Sequence, residues 1–265
     1  MDLPLFPLNA VLCPGIALPL HVFEDRYRAL VRHCLETTSP FGVVLIREGR
    51  EVGAGAISFS GVGTIAEIRD AGRQDDGKFD LLVVGTRRFG IRRVLEGTAP
   101  YLVADVGILD ETVGDPALAQ QLAMSATRRF VTYLELLQPR SGETSEDIDV
   151  RVEVETEADD DDADAEDEEP EADEDGESPA ADDDADPPPR RRRRVLIPDD
   201  PTVLSHLLAG ILQIELPRRQ TLLELGTTEE RLAALLGLID REILLLRRRL
   251  RAYIPDARVV GPRRS

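Results

Sequence analysis

From Leu3 to about Glu111 the apolar positions come in short, evenly spaced runs. Phe41-Gly-Val-Val-Leu-Ile-Arg is continuously apolar, whereas Ala56-Ile-Ser-Phe-Ser and Thr64-Ile-Ala-Glu-Ile-Arg alternate apolar with polar. Phe79-Asp-Leu-Leu-Val-Val-Gly, Phe89-Gly-Ile-Arg-Arg-Val-Leu and Tyr101-Leu-Val-Ala-Asp-Val-Gly-Ile follow, with Gly, Pro and Asp between them. Period-two alternation bounded by turn residues predicts strands, with a hairpin at Asp75-Asp-Gly-Lys78. Many short strands predict a barrel or a sandwich. Four prolines in Leu3-Pro-Leu-Phe-Pro-Leu and Cys13-Pro-Gly-Ile-Ala-Leu-Pro-Leu confine those stretches to edges and turns, with a tight turn at Pro14-Gly15.

One helix interrupts this pattern, because Tyr27, Leu30, Val31, Cys34 and Leu35 share a single face. Glu24 stands four residues before Arg28, the spacing of a helical ion pair. Beyond residue 113 the period becomes helical. Asp115 and Pro116 open a helix with the stripe Leu118, Leu122, Ala126, Phe130, Tyr133, Leu134 and Leu137. Asp199 or Asp200 with Pro201 starts another, a short piece covers Arg219–Leu225, and Thr227-Thr-Glu-Glu230 is a capping box ahead of a long helix to about Tyr253.

Charge divides the chain differently. The formal net charge is −19, and residues 141–194 alone hold 25 Asp/Glu against 6 Arg, so the remainder is balanced. That acidic stretch has almost nothing apolar to bury and is predicted to be disordered, ending in the run Arg190–Arg194. The run reads as a local counterweight to the acids beside it. Ile148-Asp-Val-Arg-Val-Glu-Val alternates like a strand but has no evident partner, and residues 143–189 are expected to be removable without unfolding. A balanced body argues against nucleic-acid binding, which draws on a net basic surface. No apolar stretch is long enough to span a bilayer, and the N-terminus lacks a basic leader region. Cys13 and Cys34 read as reduced, half-buried thiols, which places the expected location in the cytoplasm.

The search for chemistry returns mainly absences. There is no P-loop pattern, no G-x-S-x-G elbow and no Ser–Lys arrangement, and Lys78 is the only lysine. Gly53-Ala-Gly55 and Gly61-Val-Gly63 fall between strands and read as turns. His21, His33 and His206 are scattered, so no metal set is expected, and neither is a cofactor. Arg87-Arg88 and Arg92-Arg93 flank Phe89, and strand alternation places Arg88 and Arg92 on one face with Phe89, Ile91 and Arg93 on the other.

Six ordered stretches carry a resemblance. Leu3-Pro-Leu-Phe-Pro-Leu, Val11-Leu-Cys-Pro-Gly, Leu18-Pro-Leu-His-Val-Phe-Glu-Asp-Arg-Tyr-Arg, Phe41-Gly-Val-Val-Leu-Ile, Gly61-Val-Gly-Thr-Ile-Ala-Glu-Ile and Gly85-Thr-Arg-Arg-Phe-Gly-Ile together resemble the Lon substrate-binding domain family. A weaker likeness covers Leu216-Pro-Arg-Arg-Gln-Thr-Leu-Leu-Glu-Leu and Arg231-Leu. The resemblance is to stand-alone bacterial members that lack the ATPase and peptidase modules of Lon. It implies an α+β fold, a PUA-like β-barrel followed by a C-terminal helical bundle. The expected layout is a barrel over 1–113, a first bundle helix over 114–140, the acidic insert over 141–194, the remaining helices over 195–253 and a flexible tail over 254–265.

The function expected from this combination is non-catalytic binding of unfolded or partner protein segments, with a separate protease as a further partner and neither membrane nor nucleic acid. Phe6, Phe23, Tyr27, Arg87 and Phe89 are the candidate protein-binding residues, and Glu24 with Arg28, or with a strand-borne arginine such as Arg87, the candidate structural ion pair. Two alternatives stand beside it. One is RNA reading through a PUA-like barrel, and the other is a hydrolase with an unrecognised site.

Overall fold

A computed structural model describes residues 1–48, 58–74, 76–95, 97, 99–137, 150–154 and 193–252. The chain divides into two compact units, Met1–Leu137 with Pro198–Ser265, and Gln138–Ile197. The first unit begins with β1 (Asp2–Leu8), β2 (Ala17–Val22), α1 (Asp25–Thr37), β3 (Phe41–Glu48), β4 (Ser58–Phe59), β5 (Val62–Arg73), β6 (Phe79–Leu95) and β7 (Leu102–Ile108). It continues with α2 (Pro116–Leu137) and, after the second unit, with α3 (Pro201–Ile211), α4 (Leu216–Glu224) and α5 (Thr228–Ala252). The second unit holds β8 (Val150–Val154) and β9 (Arg193–Ile197), paired in parallel from Val150↔Arg193 to Val154↔Ile197. Val150–Val154, the described part of that alternation, therefore does have a partner, supplied in part by the arginine run. The acidic stretches Asp159–Asp162, Glu166–Glu169 and Asp182–Asp184, residues Arg190–Arg192 and the tail 254–265 lie outside the described residues.

The seven strands of the first unit form one mixed sheet in the order β1-β7-β6-β5-β3-β4, with β2 attached to β6 off that path. β1 also runs parallel to β3 over Leu5↔Gly42 to Leu8↔Leu45. β2 pairs only with β6 and β4 only with β3 among the described residues, so the sheet ends on open edges and its seven strands are not closed into one barrel. This corrects the expected PUA-like β-barrel to an α+β fold with a mixed sheet and C-terminal helices. The reason lies in β6, a single strand of 17 residues where the sequence pattern suggests two. Its first half pairs with β2 and its second half with β7, so two strands share one side of it and β2 is left with no second strand partner among the described residues.

The turns follow their residues. Gly15 has φ +77° and Gly77 φ +81°, both in the left-handed region that glycine enters without a Cβ penalty. Ile16 N–H donates to Cys13 O (3.2 Å) across the first turn, and Gly77 N–H to Gln74 O (2.9 Å) in the second. α1 seals one core cluster, in which Tyr27, Leu30, Val31 and Cys34 pack on Phe6, Phe41, Phe79 and Val83. Leu35, expected on that face, is exposed. A second cluster surrounds Phe89 with Leu3, Leu5, Val44 and Val106. Glycine is required beneath that ring. A Cβ on Gly63 would lie 2.4 Å from Val43 O and 2.7 Å from Phe89 Cζ, and one on Gly42 would lie 2.6 Å from Phe89 Cζ.

In the helical part, α2 buries Ala119, Ala123, Ala126, Phe130 and Tyr133 and leaves Leu118 exposed. The buried stripe thus differs from the leucine pattern at its start, with Ala119 and Ala123 inward in place of Leu118 and Leu122, and agrees with it at Ala126, Phe130 and Tyr133. Asp115 Oδ1 accepts from the amides of Ala117 (2.9 Å) and Leu118 (3.2 Å), which caps α2. Asp200 caps α3 in the same way. The capping box is reciprocal, with Glu230 N–H donating to Thr227 Oγ1 (3.1 Å) and Thr227 N–H to Glu230 Oε2 (3.2 Å).

Candidate functional site

Two of the places in the first unit that combine accessible space with polar groups lie beside α1 and beside the C-terminal helices. The first is a cleft of about 250 Å³ between β1, β2 and the start of α1. Phe6 projects from β1 and stacks on Tyr27 of α1 with ring centroids 4.2 Å apart and 12° between planes. The guanidinium of Arg26 lies 4.5 Å from the centre of the Tyr27 ring. Phe23, at the junction of β2 and α1, is 47% exposed and stands beside His21. Charges at the mouth are paired locally, His21 Nδ1 with Asp80 Oδ1 at 2.7 Å and Arg26 with Glu24 Oε2 at 3.0 Å. The hydrogen bonds from His21 and Gln74 hold the Asp80 carboxyl below its ordinary range.

The second place is the junction between the sheet and the C-terminal helices. Arg88 of β6 is 2% exposed and donates from Nη1 to the carbonyls of Leu223 (2.8 Å) and Leu225 (2.6 Å) at the end of α4. Its Nε donates to Glu111 Oε1 (2.6 Å) and its Nη2 to Glu111 Oε2 (3.2 Å), a bidentate pair. Arg231 of α5 is fully buried and donates to Leu222 O (3.2 Å), Ser205 Oγ (2.8 Å) and Glu111 Oε2 (3.4 Å). His206 of α3 places Nε2 3.3 Å from the same carboxylate oxygen. Helix C-termini leave carbonyls without intrahelical partners, and here two buried guanidinium groups satisfy those of α4. Arg219 does the same for α3 through Ala209 O and Leu212 O.

Electrostatics within the junction are lopsided. Burial pushes the Glu111 carboxyl up, but His206 and Arg88 outweigh it and hold the group at about 2. Burial lowers the His206 imidazole, and Arg231 and Arg88 add to that against the pull of Glu111. Above this cluster opens a cavity of about 340 Å³, with Arg87, Ile108, Leu109, Val203 and His206 in its wall. Among the described residues no group of three or more His, Cys, Asp or Glu is placed to hold a metal ion.

The candidate residues separate accordingly. Phe6, Phe23 and Tyr27 come together in the first cleft, with Phe6 and Tyr27 forming its buried floor. Arg87 is exposed at the second cavity and does not line the first cleft. Phe89 is 0% exposed inside the apolar cluster, which corrects its reading as a surface binding residue. The Glu24–Arg28 pair is corrected as well. Glu24 is the N-cap residue with extended backbone, outside the helix, so i,i+4 geometry does not apply; it pairs with Arg26, and Arg28 pairs with Asp25. Along β6 Arg88 is buried where it meets the C-terminal helices, and a register shift between Ile91 and Arg93 interrupts the alternation, so that Arg92 and Arg93 are both exposed. The junction cluster was not foreseen, although Arg88 and Arg231 both sit inside the stretches that carried the family resemblance.

A mixed sheet sealed by one helix and locked to C-terminal helices through a buried arginine–carboxylate cluster defines an α+β domain with an open apolar cleft. The model of one protein family, described as the ATP-dependent protease La (LON) substrate-binding domain, matches residues 2–241. The chain belongs to that family. A Lon protease of Anaeromyxobacter dehalogenans is 28% identical over 149 residues, which are 56% of this chain and 18% of that protein, so the match spans under a fifth of the relative's length. Among solved structures, a Lon N-terminal domain protein from Xanthomonas campestris superposes with a TM-score of 0.50 at 23% identity, covering 96% of this chain and 99% of that one. The N-terminal domain of a Mycobacterium avium complex Lon protease gives 0.51 at 17% identity, covering 91% and 98%. These two likenesses concern the fold.

Proposed function

We propose that this chain is a non-catalytic module that binds segments of other proteins and presents them to a separate protease. The observation that carries the reading is membership of a substrate-binding domain family over residues 2–241. The site proposed is the cleft in which Phe6, Phe23 and Tyr27 gather, where an exposed aromatic stands above a stacked, buried pair. Unfolded segments offer apolar side chains and unpaired backbone, and an apolar cleft beside a sheet edge suits both. No helix among the described residues is long and apolar enough to cross a membrane. The cytoplasm is the location proposed, supported by two buried free cysteines, of which Cys13 is pushed up to about 11 by burial and so stays a thiol.

The test is direct binding of a chemically denatured, reduced protein to the full chain. Saturable binding is expected. Phe23→Asp should weaken it by about tenfold, the loss of one buried aromatic contact, while the melting temperature is unchanged because Phe23 is half-exposed. Absence of binding by the unmodified chain would sink the proposal.

A further inference from the structure

The first cleft borders an unpaired strand edge. β2 pairs with β6 on one side, over Ala17↔Val84 to Val22↔Phe79, and with no strand on the other among the described residues. β1 leaves β7 after Leu5↔Leu102, so its last residues border the same opening. The cleft is lined on one wall by Pro19, Leu20, His21 and Val22 and on the other by Phe6 and Leu8. The parity of the ladder is fixed by Gly85 N–H donating to Ile16 O (3.0 Å). In an antiparallel pair, residues alternate between bonding to the partner and facing away. Residues 16, 18, 20 and 22 therefore bond towards β6, and the backbone groups of residues 17, 19 and 21 face outward. Pro19 stands at an outward position, so its missing N–H costs the β2–β6 ladder nothing. The outward edge beside the cleft offers the carbonyls of Pro19 and His21 and the amide of His21.

We propose that an extended protein segment adds to β2 as a further strand, alternate apolar side chains entering the cleft over Phe6 and Tyr27. This rests on the reading of the chain as a segment-binding module and specifies how the segment is held. Main-chain hydrogen bonds to an open edge supply affinity without demanding a particular sequence, and the cleft selects apolar residues at every second position. At the mouth His21 is hydrogen-bonded to Asp80 and Arg26 is ion-paired with Glu24. An uncharged, β-forming segment is thus the complementary occupant, and a polyanion is not.

Backbone recognition is separable from side-chain recognition by chemistry. The probe is a short peptide of alternating valine and threonine, titrated against the full chain and used to compete with denatured protein. Two further versions carry N-methyl amides at alternate residues, one version in each frame. The unmodified peptide is expected to bind and compete. One methylated frame should lose at least about tenfold in affinity, and the other should retain it, since only one edge of the segment faces β2. His21→Pro, which removes the outward amide, should weaken binding where His21→Ala does not. Equal affinity of both methylated frames and the parent would overturn strand addition, and so would failure of the peptide to compete while denatured protein still binds; the segment-binding reading survives both results. If neither peptide nor denatured protein binds, the reading falls and the inference with it.

Discussion

Phe89 and Arg88 are neighbours in β6, and both are withdrawn from water, but they are buried in opposite senses. Phe89 faces a cluster of hydrocarbon in which its partners need only the right volume. Arg88 faces a carboxylate and two helix-end carbonyls, and its loss would strip Glu111 of its bidentate partner and the Leu223 carbonyl of its side-chain donor. One side of the strand is held by non-directional burial, the other by a set of directional bonds in a medium that penalises any left unmade. The sheet's interior should therefore tolerate conservative change, and its junction with the helices should not.

The largest effect that could break this contrast is at the pair itself. Arg88→Ala should cost about 3–5 kcal/mol, the range for stripping one partner from a buried ion pair, and Phe89→Ala about the same from cavity formation. The conservative changes should diverge. Phe89→Leu is expected to lose less than about 1.5 kcal/mol, whereas Arg88→Lys should lose about 2–3, because an ammonium cannot reproduce the fork. Urea denaturation of the four variants decides it, and equal losses for Phe89→Leu and Arg88→Lys would erase the distinction.

Acid should act on the junction and spare the apolar cluster. Glu111 is depressed from 4.5 to about 2, so its contribution is complete above pH 4.5 and disappears as pH falls towards 2. By linkage this would be worth about 3 kcal/mol for a fully buried group, and solvent screening of the 32% exposed Glu111 side chain reduces it to about 1–2 kcal/mol. His206 is depressed from 6.5, so the unfolded chain takes up its proton first and stability begins to fall as pH drops below 6.5. Thermal melts from pH 8 to pH 3 should show both limbs, and His206→Asn should remove the upper one and shrink the lower, because His206 helps to hold Glu111 down. A flat profile above pH 5 in the unmodified chain would contradict the placement of His206.

Next in size is the glycine beneath Phe89. Gly63→Ala should cost about 1–3 kcal/mol through overpacking, because the new Cβ would press on the Val43 carbonyl as well as on the ring. A neutral result would mean that this region yields more than an apolar cluster of this kind should. Smallest are the helix ends. Asp200→Ala removes the acceptor for the Thr202 and Val203 amides and should cost about 1 kcal/mol. Glu24→Gln should cost less, below about 1 kcal/mol, because Glu24 makes no side-chain cap and holds only the pair with Arg26. A larger loss at Glu24 than at Asp200 would reverse that order.

Local features were legible from the residues. Thr227 and Glu230 spell a reciprocal cap, Pro14-Gly15 and Asp76-Gly77 spell turns, and the Tyr27, Leu30, Val31 and Cys34 stripe marks α1. Each depends on neighbours within about one helical turn. The candidate site was half legible. Phe6, Phe23 and Tyr27 were named as single aromatics, but nothing in their spacing says that they share one cleft. Phe89 was misplaced because alternation cannot show which face of a strand is covered.

By itself the amino-acid sequence determined the strand-rich first part, the helical second part, the caps and turns, the confinement of net charge to residues 141–194, and family membership through motif order. All of these are encoded in short-range periodicity, local hydrogen-bonding preference or composition. Only the tertiary structure decided that β6 is one strand serving β2 and β7 on the same side, that β1 lies parallel to β3, and that β2 keeps an open edge among the described residues. It alone brought Arg88, Glu111, His206 and Arg231 together across separations of up to 143 residues. The physical reason is that a buried charge is permitted only by partners that reach it in space, and the positions of those partners along the chain are free.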